Sequence, residues 1–258
     1  MNIMICCPSY KRPNVKSFDF FGNLLNVFVA EKEYNDYIEQ NKQFKKNIIK
    51  VDNKYQGNVA RIRNYILDYC NKKNVDVCVI VDDDLKYIGY YQNGIITKLK
   101  QEQIKSFIEK YTFLCEGFGF KLWGVNLNKD KQLYKAYTPF STTSVILGPF
   151  CCFLKGNETR YDESLPLKED YDIALQNLNK YRGILRVNKY HYDCEQSTNK
   201  GGCATYRNIE KEKEQLYLLQ KKWGKNIVKI DSSDRSHKCN KGKKIDYNPV
   251  IKVPIKGV

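Results

Sequence analysis

The chain has 258 residues, with 44 Lys plus Arg against 29 Asp plus Glu, a net charge of +15 and a pI near 9.2. Hydrophobic residues make up 42% of the chain, which excludes wholesale disorder and suits one large domain or a domain with an appendage. The basic excess points to polyanions (nucleic acid, phosphorylated small molecules or an anionic membrane surface), although Lys-rich composition also arises from genomic base bias.

In chain order, NIMICCP is a short apolar run that breaks at Pro8 into the polar loop SYKRP. LLNVFVA (24–30) reads as a second strand, followed by a polar helical stretch over 31–44, and NIIKVD (47–52) as a third strand. Val59, Ile62, Ile66 and Tyr69 recur at spacings of three or four, which predicts an amphipathic helix over 59–70. VDVCVIV (75–81) is short, β-branched and apolar on both faces, the pattern of a strand buried in a parallel sheet. Further on, Asn93-Gly94 predicts a hairpin, 101–118 a helix ending at glycine, and 121–127 and 142–156 more strands. KEDYDIALQNLNKYRG (168–183) reads as a helix stopped by Gly183, and 183–194 as one more strand. The alternation of strands and helices predicts an α/β fold with Rossmann-like winding.

No apolar run approaches the roughly 18 residues of a spanning helix, and no leader pattern is present, so a cytoplasmic protein is expected. The ten cysteines include no CxxC pair. They read as buried free thiols of a reducing compartment, not as a disulfide framework or a structural zinc site.

The sharpest chemical feature is Asp82-Asp83-Asp84, directly after the most apolar strand. Ligands of open α/β sheets bind beyond the carboxyl ends of strands. Three adjacent carboxylates there call for a hard cation such as Mg²⁺ or Mn²⁺, shared with substrate phosphates. The bland alternative is an acidic turn. In the first loop, Ser9, Tyr10, Lys11 and Arg12 offer a hydroxyl, a ring and two cations to a nucleotide. The loop at Gly57-Asn58 opens a helix on which Arg61 and Asn64 are three residues apart. Glu169 and Asp170 start a helix, as caps or as a general base. His191 is a candidate third metal ligand, and Asn199-Lys200-Gly201-Gly202 a candidate phosphate loop.

CPSYKRP, GNVARIRN, VDDDL and KEDYDIAL, in this order, resemble the landmarks of metal-dependent GT-A glycosyltransferases. With YDCEQSTNKGG they look more narrowly like the phage-encoded TET-associated glycosyltransferases, a group related to the kinetoplastid base J glucosyltransferase. That resemblance implies a GT-A domain over 1–202, its Rossmann-like mixed central sheet flanked by helices, and a basic extension over 203–258 packed on it. It implies a UDP-sugar donor, Mn²⁺ or Mg²⁺, and transfer to the hydroxyl of 5-hydroxymethylcytosine or a related pyrimidine in DNA, with no membrane and no obligate protein partner. Asp84 would ligate the metal, and Asp82 the metal or the ribose, with Asp83 beside them. Ser9, Arg12 and Arg61 would line the donor pocket, to which the helix-face and glycine-loop readings above add Asn64 and Lys200. Asp170 would be the base, with Glu169 as the lesser choice, and His191 would complete the metal shell. Trp223 and tyrosines would stack on an extruded base. The chain departs from the broader pattern in lacking an HxH or acidic-glycine signature. Alternatives are a protein or glycan acceptor, a nucleotidyltransferase, or a basic nucleic-acid-binding protein without activity.

Residues 200–258 hold 15 Lys or Arg against 6 Asp or Glu, a net +9 that leaves +6 for the first 199. The surplus is concentrated downstream of the donor landmarks, where an acceptor surface is expected.

Overall fold

A computed structural model describes residues 1–127, 129–130, 134–195, 201–230 and 247–253. Its centre is a ten-stranded mixed sheet. The first four strands, β1 (Ile3–Pro8), β2 (Leu25–Ala30), β3 (Ile48–Val51) and β4 (Val77–Val81), run parallel in the order β3-β2-β1-β4. The chain winds outward from β1 to β3 by way of the short helices α1 (Phe18–Phe21) and α2 (Tyr34–Gln40), then returns through helix α3 (Val59–Lys72) to place β4 on the other side of β1. The strand order therefore reverses at β1 and β4, and such a reversal opens a crevice at the strands' carboxyl ends.

Beyond β4 the sheet continues through β9 (Phe150–Leu154), β7 (Leu122–Asn126), β10 (Leu185–Cys194), β5 (Leu85–Gln92) and β6 (Ile95–Lys98), with the two-residue β8 (Phe140–Ser141) beside β10. Strands β4 and β9 are antiparallel, as are β9 and β7, while β7 and β10 are parallel. A parallel Rossmann-like half thus joins a mixed half in one sheet, the α/β architecture expected of a GT-A fold. The β5–β6 hairpin turns at Asn93 and Gly94, both at positive φ, as a tight two-residue turn between right-twisted strands demands.

Helices cover both faces. Val79 and Val81 of β4 face a core closed by α4 (Ile104–Gly117), whereas Cys78 and Ile80 face one closed by α3 and α5 (Glu169–Tyr181). Strand β4 is buried on both sides, which explains its unbroken run of apolar residues. Helix α6 (Ile209–Trp223) and the small sheet of β11 (Val228–Ile230) and β12 (Pro249–Ile251) bring Leu216, Leu219 and Val228 into the second core, beside Leu175 and Leu178.

Three sequence expectations shift. Only Phe150–Leu154 of the stretch 142–156 is strand after Ser141, because Gly148-Pro149 breaks the run and carries the chain across the crevice. Helix α5 ends at Tyr181, with Arg182 in the left-handed conformation (φ 63) ahead of Gly183. The polar stretch 31–44 is α-helical only over Tyr34–Gln40.

Trp123 is fully buried, donates its indole N–H to Thr112 Oγ1 at 3.1 Å and packs on Phe107, Tyr111 and Phe150. Truncating a buried tryptophan leaves a large cavity, so Trp123→Ala is expected to lower the unfolding free energy by about 3–5 kcal/mol, read from urea titrations.

Candidate functional site

A cleft of about 620 Å³ opens at the carboxyl ends of β1 and β4. Its lining includes Ser9 and Arg12 from the first loop, Asp82, Asp83 and Asp84 after β4, Arg63 from α3, and Glu169 and Asp170 at the start of α5. Tyr192 and Cys194 of β10 form part of one wall, and Gly202, Cys203, Tyr206 and Arg207 part of another.

The aspartate turn is held by a residue the sequence did not advertise. Ser17, fully buried, donates its backbone N–H to Asp83 O (3.1 Å) and its hydroxyl to Asp82 O (2.6 Å), and accepts the N–H of Leu85 (2.9 Å). Ser9 Oγ donates to Asp83 Oδ2 at 2.6 Å, and Arg12 Nη1 donates to Asp83 Oδ1 at 2.9 Å and lies 3.7 Å from Asp84. Burial raises the Asp83 carboxyl above its usual range even though Arg12 and Ser9 pull it down. Asp83 thus points inward and fastens the first loop, while Asp82 and Asp84 present carboxylates at the cleft wall.

Arg63 spans the cleft floor. Its side chain is 3% exposed, Nη2 donates to Asp82 Oδ1 (2.9 Å) and Nη1 to Glu169 Oε1 (3.1 Å), with Gly148 O 3.4 Å away. The guanidinium also lies over the Tyr161 ring, 5.5 Å from its centroid. Burial disfavours its charge, but the Asp82 carboxylate beside it helps reverse the balance, and the guanidinium stays protonated. Asp170 is fixed differently: it accepts the N–H of Tyr171 (2.8 Å) and of Gly148 (3.4 Å). Burial raises both acids, and with Asp170 alongside, Glu169 is pushed up to about 8.

Several expected site residues lie elsewhere. Arg61 points away from the cleft and pairs with Glu163 (2.8 Å) and Lys54 O (3.1 Å). Arg63 reaches the floor because residues two apart on a helix face opposite ways. Asn64 exchanges two hydrogen bonds with the Tyr161 backbone, fastening α3 to the segment before α5. His191 is fully buried on the other face of β10 from Tyr192 and Cys194. It packs over Gly89 between Tyr87 and Tyr91, and among the described residues neither ring nitrogen has a hydrogen-bond partner. Burial holds it neutral, near 4, and removes it from any ligand set with the aspartates. Trp223 donates to Asp172 Oδ1 at 2.7 Å and packs against the core instead of offering a stacking face. Lys200 lies outside the described residues, but its neighbours Gly201 and Gly202 pack on the first loop. There Gly202 N–H reaches Tyr10 O (2.8 Å), and a Cβ on Gly201 would meet Lys11 O at 2.5 Å.

The oxygen donors at the cleft wall are hard ligands that suit Mg²⁺ or Mn²⁺. Among the described residues, the aspartates do not converge as a three-ligand set within 4.8 Å. Asp82 and Asp84 therefore fit an ion that takes one or two carboxylates and completes its shell with phosphate oxygens and water.

No protein-family profile and no curated protein matches the sequence. Among solved structures, the chain is similar to residues 1–349 of S. aureus TarS at 12% identity and a TM-score of 0.47, covering 74% of this chain and 59% of that one. That protein has also been solved in complex with UDP. A mannose-1-phosphate geranyltransferase from Thermus thermophilus matches at 8% identity and 0.46, covering 75% and 76%. A197 from STIV matches at 11% and 0.43, covering 80% and 92%. These are distant likenesses, and the chemistry of the cleft stands on its own residues.

Glu169 takes up a proton on folding between its ordinary value of 4.5 and about 8. Its contribution to stability is therefore complete at acid pH and declines as pH rises through that window. Glu169→Gln should flatten this decline in unfolding free energies measured from pH 5 to pH 8. Equal pH dependence in the two proteins would show that Glu169 is ionised throughout.

Proposed function

We propose that this chain is a metal-dependent glycosyltransferase that moves a sugar from a UDP-sugar to the hydroxyl of 5-hydroxymethylcytosine, or a related pyrimidine, in DNA. The observation that carries the reading is one cleft, at the sheet's reversal point, with the aspartate turn on one side and the Glu169-Asp170 pair across Arg63 on the other. The DNA acceptor is supported by the resemblance of the motifs to phage DNA glycosyltransferases and by the net charge of +15.

In this reading Asp84 and Asp82 hold Mn²⁺ or Mg²⁺, which when bound neutralises the diphosphate and stabilises it as a leaving group. Ser9 and Arg12 border the donor side of the cleft, with Asp83 locking their loop. Asp170 accepts the proton of the attacking hydroxyl. Its burial lifts its affinity for a proton toward the working pH, as a general base requires. Glu169 is the poorer base because Arg63 Nη1 already donates to its Oε1, and its role is to fix the guanidinium that spans the cleft. To reach a hydroxymethyl group on a paired base, the enzyme must work in the groove or extrude the nucleotide.

The test is incubation with UDP-sugars, Mn²⁺ and duplexes bearing cytosine or 5-hydroxymethylcytosine, followed by nucleoside mass spectrometry. A hexose-sized gain confined to the hydroxymethylated duplex is expected. No transfer and no UDP release with any donor would overturn the reading. Asp84→Ala should abolish transfer and the Mn²⁺-dependent rise in melting temperature with UDP. Asp170→Asn should keep that rise and lower turnover at least about a hundredfold, the usual scale of general-base loss.

A further inference from the structure

Four sulfur atoms meet in the second core, away from the cleft. Met4 and Cys6 lie on β1, and Met4 is the register partner of Cys78 on β4, so all three side chains share the sheet face beneath α3. Cys70, near the carboxyl end of α3, descends onto them. The Sγ atoms of Cys6 and Cys70 are 3.7 Å apart, Cys70 Sγ is 3.9 Å from Met4 Sδ, and the three Sγ atoms all lie within 4.8 Å of one another. Among the described residues no other His, Cys, Asp or Glu group converges this closely.

We infer that Cys6, Cys70 and Cys78 form a binding site for a soft, thiophilic cation, best matched by Cu(I), with the Met4 thioether as a weak fourth donor. The spacing is that of ligands around a shared ion. Metal–sulfur bonds of about 2.3 Å place the sulfurs of a trigonal set about 4.0 Å apart, close to what β1, β4 and α3 already provide. Thiolates with a thioether are a soft donor set, which selects Cu(I) over hard ions. Zn²⁺ in a closed site takes four imidazole, thiolate or carboxylate ligands, and the fourth group here is a thioether. Cys70 and Cys78 also line a small depression of about 10 Å³ rimmed by Lys155 and Arg160, which gives an ion a short route in and puts positive charge beside the thiolates it would create.

The site lies at the far end of the same elements that build the cleft. Cys78 precedes Asp82 by four residues, roughly 13 Å of strand, and Cys70 follows Arg63 by two turns of helix. An ion there would clamp α3 to β1 and β4. The inference does not rest on the proposed activity.

Its test is an anaerobic competition between the full chain and a chromophoric Cu(I) chelator. Wild type is expected to withdraw one equivalent that Cys70→Ala does not, while Cys115→Ala, which removes a buried thiol elsewhere, withdraws as much as wild type. Equal withdrawal by Cys70→Ala would overturn the site. Should that variant fail to fold, X-ray absorption of the wild-type 1:1 complex decides: three sulfurs at about 2.3 Å support the site, and nitrogen or oxygen ligands, or two sulfurs only, reject it.

Discussion

The cleft depends on the burial of one guanidinium. Arg63 enters the interior from α3 and is held by Asp82 after β4 and Glu169 at the start of α5, so a single cation fixes the spacing of three elements. Leaving a buried charge without its partner costs about 3–5 kcal/mol, far more than a surface pair is worth. The neighbourhood is shaped to admit it. Gly148 passes so close that a Cβ there would sit 3.0 Å from Nη2, and Asn64 ties α3 to the Tyr161 backbone beside it. Helix α3 thus both packs the sheet and sets the width of the cleft.

The aspartate turn follows the same logic. Three consecutive acids at a strand end repel one another unless each finds a different environment. Here Asp82 meets Arg63, Asp83 turns inward to Ser9 and Arg12, and Asp84 faces the cleft beside Arg12. Ser17 holds the backbone of the turn with three hydrogen bonds, leaving the carboxylates' geometry to their cations. The three residues thus occupy different positions in the site: two present oxygen at the wall, and the central one is structural.

The parts legible in the sequence are those set by local pattern. The both-sides-apolar run of β4, the Asn93-Gly94 turn and the acids after β4 declare themselves because strand burial, turn geometry and strand-end chemistry are short-range. Arg61 is the misreading. A helical face drawn through Val59, Ile62 and Ile66 equally passes through Arg63, whose place among buried residues is the available signal; an arginine on an apolar stripe needs a buried partner. Ser17 and the Cys6–Cys70–Cys78 set give none, since their partners are 65, 64 and 8 residues away and meet only through the sheet order. His191 is misplaced by strand parity: its neighbours Tyr192 and Cys194 line the cleft, and alternation sends the residue beside them to the other face.

The charge of the cleft also constrains what can enter it. The residues around it include Asp82, Asp83, Asp84, Glu169, Asp170 and Glu212 against Arg12, Arg63 and Arg207. Each arginine is already engaged by a carboxylate, Arg207 by Glu212 at 3.0 Å. Even with Glu169 protonated, acids outnumber cations, so a bare diphosphate would meet repulsion in a chain whose net charge is +15. A nucleotide-sugar donor is compatible with such a cleft only when a divalent ion accompanies it, balancing carboxylate and phosphate at once. The global surplus of lysine and arginine therefore does not favour the donor. In the proposed enzyme it serves the other substrate, whose phosphates are spread over a surface and demand charge of the opposite sign outside the cleft.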